Sequence, residues 1–98
     1  MRVEFEFYGT LREAVGEKTV SREIESGTTA LEATRAVADE HEKVGSLLFR
    51  SNGEVRPNVT VSVNGDPVLD ESGDVALEEG DELVLAPGVS GGSTEVDR

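Results

Sequence analysis

The sequence closes on Val89-Ser90-Gly91-Gly92 followed by six further residues, Ser93 to Arg98. Paired glycines near an end mark either a loose exit from a folded domain or a tail built to thread a narrow enzyme channel. Glycine has no Cβ, so such a tail can approach a partner closely and take backbone angles that other residues resist. The rest of the chain offers little competing chemistry. His41 is the sole histidine, and no metal-binding or catalytic partner stands at suitable spacing from it. It reads as a solvated residue at the polar end of a helix. The acidic runs Asp39-Glu40 and Glu78-Glu79-Gly80-Asp81-Glu82 lack calcium-loop spacing and read as solvated charge. There is no cysteine, which removes disulfides, thiolate zinc sites, iron–sulfur clusters and cysteine nucleophiles together. No serine sits in a nucleophile elbow and no glycine loop has P-loop form. The chain is therefore expected not to be an enzyme by itself, with no metal and no permanently bound cofactor.

Ninety-eight residues suit one domain with one modest core. No apolar run approaches the length of a membrane span. The N-terminus alternates apolar and charged residues and lacks a secretory apolar region, so a cytoplasmic location is expected. Asp and Glu total 21 against 9 Lys and Arg, a formal net charge of -12. Only Lys18 and Lys43 are lysines. Acid excess with so few lysines resembles a cytosolic protein of a salt-accumulating cell, although an ordinary acidic domain reads similarly. Either way the balance argues against nucleic acid as the main partner, because phosphate binding needs clustered Lys and Arg.

The elements follow from periodicity. Residues 2–8 alternate as a strand with Val3, Phe5 and Phe7 on one face. Residues 9–16 form a glycine-bounded connection in which Leu11 and Val15 can anchor one helical turn. Residues 18–24 read as a second strand, Val20 and Ile24 inward, with Arg22 breaking that face as in an edge strand or a stem lying over the core. Thr29 and Glu32 make a capping box. Ala30, Ala33, Val37 and Val44 then mark one helical stripe ending near His41–Gly45. Leu47, Leu48 and Phe49 fill the space between helix and sheet. Val59, Val61 and Val63 make the clearest strand. Asn64-Gly65 turns into a short return at Val68-Leu69, and Leu83 and Leu85 mark a last strand stopped by Pro87-Gly88. The predicted core is Val3, Phe5, Phe7, Val20, Ile24, Ala33, Val37, Val61, Val63, Leu83 and Leu85. The order predicts an α+β domain over residues 1–89, one main helix on a mixed four- to five-stranded sheet. Residues 90–98 are expected to be a flexible tail.

Four stretches in this order carry a resemblance. "FEFYGTLREAVG", "GTTALEATRAV", "PNVTVSVNGDPV" and "GDELVLAPGVSGG" resemble the first strand and loop, capped helix, strand and turn, and terminal strand of the ubiquitin-like sulfur carriers and small archaeal modifiers. That family includes the molybdopterin synthase small subunit and the thiamin sulfur carrier. The resemblance covers residues 2–92 and implies a β-grasp, ubiquitin-like fold, in which the first and last strands are central and parallel. It implies that the Gly92 carboxylate, carried by Ser90-Gly91-Gly92, is adenylated by an E1-like activating enzyme that supplies ATP and magnesium. The adenylate then passes to lysines of target proteins. Alternatively it takes sulfide to give a thiocarboxylate for molybdopterin synthesis, with the molybdopterin synthase large subunit as partner, or for tRNA thiolation. A third reading is a binding module that is never activated.

Two departures stand out. Where the family commonly has an aromatic residue and Pro-Pro, this chain has Ala86-Pro87-Gly88, which is expected to loosen the base of the tail. Residues 93–98 also follow the second glycine, so Gly92-Ser93 is expected to be a processing site for a zinc metalloprotease of the ubiquitin-deconjugating type. The partner surface is expected on the open sheet face near the tail, with Arg56 close to it and Arg35 on the helix away from it.

Overall fold

The computed structural model describes residues 1–70 and 73–87. Five strands form one mixed sheet: β1 (Arg2–Phe7), β2 (Thr19–Glu23), β3 (Val59–Val63), β4 (Asp66–Val68) and β5 (Glu82–Pro87). Their spatial order is β2-β1-β5-β3-β4. The first and last strands are central and parallel, with Phe5 beside Leu83 and Phe7 beside Leu85. All other pairings are antiparallel. Period-two alternation sends Val3, Phe5, Phe7, Leu83, Leu85, Val61 and Val63 to one face, where all are buried.

That face is covered by α1 (Gly9–Val15), α2 (Ala30–Glu40) and α3 (Glu42–Leu48). The capping box starts α2 as expected. The Glu32 backbone N–H donates to Thr29 Oγ1 at 3.2 Å, and the Thr29 N–H donates to Glu32 Oε1 at 3.0 Å. Ala30, Ala33, Thr34, Val37 and Ala38 form its buried stripe, small enough for the helix to lie close to the sheet. The helix does not run on as the stripe suggested. His41 is extended (φ −132°, ψ 94°) and breaks it, and α3 restarts at Glu42. The re-aimed α3 buries Val44 and Leu48, four apart on one face, completely. Leu47 and Leu48 are therefore helical, and they fill as expected, Leu48 within the core and Leu47 against it. The single turn expected around Leu11 is a seven-residue helix, closed by Gly16 in the left-handed region (φ 88°) with its N–H on Arg12 O.

The core matches the predicted set except at Ile24, which is only partly buried and packs against the core from outside. Leu11, Ala30, Ala38, Val44, Leu48, Val59 and Leu77 join it. β2 is an edge strand, and Arg22 on its inward face reaches past the core to the end of α2. There its Nε donates to both Glu40 carboxylate oxygens at 2.9 and 3.2 Å, and Nη2 completes the ion pair.

Candidate functional site at the root of the C-terminal tail

Ser90, Gly91, Gly92 and the Gly92-Ser93 bond lie outside the described residues, so the structure bears on them through the strand that leads to them. β5 is held on both sides along its length, by β1 and by β3. Beyond the end of β1 the grip continues: the Tyr8 N–H donates to Leu85 O at 3.1 Å. Pro87, opposite Val59 in register, has its ring over Gly9, where α1 begins. The base of the tail is thus confined at least as far as Pro87, and any loosening from the Ala86-Pro87-Gly88 departure must begin after that residue.

A polar platform stands beside this root. Tyr8 is 42% exposed, and the Arg12 guanidinium carbon lies 5.4 Å from its ring centroid, a cation–π distance. Arg12 Nε donates to Phe7 O at 3.1 Å, which fixes the guanidinium over the end of β1. The Tyr8 hydroxyl donates to Glu6 Oε2 at 2.6 Å. That hydrogen bond, reinforced by the carboxylate charge, holds the phenol pKa above its ordinary value, so Tyr8 acts as a neutral donor. Along the sheet face away from the helices run Glu4 and Glu6 of β1, Glu82, Val84 and Ala86 of β5, and Thr60 and Ser62 of β3. In register, Glu6, Val84 and Ser62 stand side by side across its centre.

The arginines do not divide as expected. Arg56 Nε donates to Ser46 O at 2.8 Å, and its backbone N–H donates to Leu48 O at 2.7 Å. It ties the approach to β3 onto α3 and does not stand free on the open face. Arg35 does the matching work on α2: Nη2 donates to Gly53 O at 2.7 Å and the guanidinium lies 5.4 Å from the Phe49 ring centroid. Both side chains staple the segment between α3 and β3, so charge reversal at either disturbs the fold.

His41 is likewise not the solvated helix-end residue that was expected. It sits in the break between α2 and α3, partly buried, with Nε2 enclosed and without a hydrogen-bond partner among the described residues. The acidic run at 78–82 is structured as well. Asp81 Oδ1 accepts from Asn64 Nδ2 at 2.8 Å and Oδ2 from the Glu78 N–H at 2.8 Å, while Glu79 Oε1 accepts from the Arg2 N–H at 3.1 Å. These carboxylates build the turn that aligns β5. Among the described residues no group of three or more His, Cys, Asp or Glu side chains stands together as a metal site. No helix among them is long and apolar enough to cross a membrane.

Sequence reasoning pointed to the glycine tail, which lies outside the described residues, and missed Tyr8, Gly9, Arg12 and Pro87 around the end of β5. The available signals were a glycine directly after β1 and a proline at the end of β5, which meet only because those strands are parallel neighbours.

The sequence profile of the ThiS family matches residues 5–92. The chain belongs to the ThiS family. This member is 33% identical over 93 residues to small archaeal modifier protein 3 of Haloferax volcanii, an alignment spanning 94% of this chain and 100% of the relative. It is also 33% identical over 91 residues to small archaeal modifier protein 1 of the same organism, spanning 92% and 100%. A crystal structure of small archaeal modifier protein 1 superposes with a TM-score of 0.81 at 30% identity, covering 94% of this chain and 100% of that one. A chain of the BexX/CysO complex of Amycolatopsis orientalis superposes with a TM-score of 0.70 at 27% identity, covering 92% and 99%. The fold of this ThiS-family member is thus the ubiquitin-like β-grasp, and its relatives are small protein modifiers and sulfur carriers.

Proposed function

We propose that this chain is a ubiquitin-like protein modifier whose reactive group is the Gly92 carboxylate. The observation that carries the reading is where the family match stops. It ends at residue 92, the second glycine, and leaves Ser93–Arg98 beyond it. A carboxylate is a poor electrophile, because its charge repels nucleophiles and oxide is a bad leaving group. Attack of a Gly92 carboxylate oxygen on the α-phosphorus of ATP, with pyrophosphate leaving, gives an acyl-adenylate. A target lysine amine then attacks the acyl carbon, AMP leaves, and an isopeptide bond remains. An E1-like enzyme provides ATP, magnesium and the nucleotide pocket; the chain provides a rigid body and a tail of glycines that can lie against the nucleotide.

With Ser93 attached, the Gly92 carbonyl is locked in a peptide bond and has no carboxylate oxygen to offer. The encoded chain is therefore a precursor, activated when a metalloprotease of the ubiquitin-deconjugating type cuts Gly92-Ser93. A second use is favoured by membership of the ThiS family itself: sulfide attacks the acyl carbon of the same adenylate, AMP leaves, and a Gly92 thiocarboxylate remains, a sulfur donor to a molybdopterin synthase large subunit or to tRNA thiolation.

The test mixes the full-length chain, and a version stopped at Gly92, with the cognate activating enzyme, magnesium and ATP. Pyrophosphate is expected only from the shortened chain, and Gly92→Ala in that chain should slow it sharply. Full-length protein adenylated equally well without losing residues 93–98 ends the precursor reading. No release from either form leaves a binding module that is never activated. Intact mass of the protein from its own cells separates the two uses of the adenylate: a mass gain of one oxygen-to-sulfur exchange marks the carrier, and branched peptides on target lysines mark the modifier.

A further inference from the structure

Gly9 begins α1 with φ 57°, directly after the tail-bearing side of the sheet. A Cβ placed on it would stand 3.2 Å from Pro87 Cγ and 3.5 Å from Pro87 Cδ. The first distance is shorter than ordinary side-chain packing, so one partner would have to move. Pro87 has little freedom to do so alone. Its ring fixes its own φ, Val59 pairs with it from β3, and the Tyr8 N–H holds Leu85 O two residues earlier. Relief of the contact takes a shift of a few tenths of an ångström, shared between the ring and the end of β5, the backbone that continues into residue 88.

We propose that Gly9 is a positioning residue. Its bare Cα lets the Pro87 ring close onto the start of α1, and this contact sets the direction in which the chain leaves the sheet on its way to Gly92. The inference rests on the adenylation reading above and deepens it: the body sets where the tail starts, at Pro87, and a side chain at position 9 displaces that start. Gly16, at the other end of the same helix, supplies the control. It also has positive φ (88°), but a Cβ there meets nothing within 4 Å. Alanine at either position carries the left-handed backbone strain; only at position 9 does it also press on the tail.

The experiment uses the chain ending at Gly92 with its activating enzyme and follows pyrophosphate release. Gly9→Ala is expected to lower kcat by about tenfold with KM changed by no more than about twofold, since body docking is kept and the reacting group is misplaced. Gly16→Ala should keep kcat within about twofold although its thermal midpoint falls through the left-handed backbone strain. In a Pro87→Ala background, Gly9→Ala should cost less than about twofold, because the ring it strikes is gone. Equal kcat losses for Gly9→Ala and Gly16→Ala, or an undiminished loss in the Pro87→Ala background, would overturn the positioning role alone. If the unsubstituted chain ending at Gly92 releases no pyrophosphate, the adenylation reading falls and the positioning role falls with it.

Discussion

Phe5 and Phe7 sit on the buried face of β1 with ring centroids 6.4 Å apart and planes 12° from parallel, and neither is exposed. Few aromatic residues share the core, so each ring fills volume that no neighbour can recover. Phe5→Ala is expected to cost about 3–5 kcal/mol in a denaturant titration, through lost burial and the cavity left behind; a loss under about 1 kcal/mol would mean the ring is not packed as described. Thr34 makes the opposite case. It is wholly buried within the apolar stripe of α2, and its Oγ1 has no hydrogen-bond partner among the described residues. A buried hydroxyl without a partner forfeits its hydration and receives nothing in return. Thr34→Val keeps the shape and removes the oxygen, so stability should rise by up to about 1 kcal/mol. The sequence pattern named Phe5 as core because alternation is visible in a string of letters. Thr34 escaped because the pattern of apolar positions counts a threonine as surface, and only the position of Ala30, Ala33 and Val37 around it reveals the burial.

At the scale of elements, legibility followed the strength of the local signal. β1, β3 and β5 alternate cleanly, and the Thr29–Glu32 capping box marks the start of α2. The parallel pairing of β1 and β5 was expected from the β-grasp resemblance and not from any local signal. The break at His41 had no such signal. Neither glycine nor proline stands there, and His41 makes no side-chain cap to α3. The helix divides because burying Val44 and Leu48 is worth more than continuing a straight axis. The Arg22–Glu40 pair illustrates the middle case, since an arginine on an inward face announced an edge strand but could not name its partner. Its hydrogen bonds hold the Glu40 carboxyl below its ordinary pKa. A carboxyl lowered in the folded state stabilises at pH above its unfolded value, and the contribution is lost as pH falls through the folded one. Both side chains are more than one-third exposed (35% and 44%), so solvent screening keeps the pair below about 1 kcal/mol. Arg22→Ala should therefore lower stability slightly near neutral pH, and the difference from the unsubstituted chain should shrink as acid protonates Glu40. A difference that is unchanged by acid would assign the loss to the arginine stem and not to the charge.

For the molecule as a whole, the governing quantity is its charge. A formal -12 on 98 residues leaves most carboxylates without a cation. Among the described residues only two side-chain ion pairs form, Arg2–Glu23 and Arg22–Glu40, and Glu4, Glu6 and Glu82 share the open face of the central strands. Glu4 and Glu82 are direct neighbours in the parallel register, where like charges oppose the pairing. The folded state concentrates these repulsions and the unfolded chain spreads them out, so added salt should favour folding. The Debye length falls from about 30 Å at 0.01 M to about 3 Å at 1 M, which takes most of these contacts from unscreened to screened. Thermal melts in dilute and molar potassium chloride should show the midpoint rising with salt, and Glu82→Gln should raise the midpoint in dilute salt more than in molar salt. Both effects come from the same repulsion, so they must diminish together. Equal midpoints at the two salt concentrations would mean that the acidic surface is solvated without strain, and would remove the case for a protein suited to a salt-rich interior. A midpoint that rises with salt while Glu82→Gln has the same effect at both concentrations would place the repulsion elsewhere on the surface, away from the strands that lead to the tail.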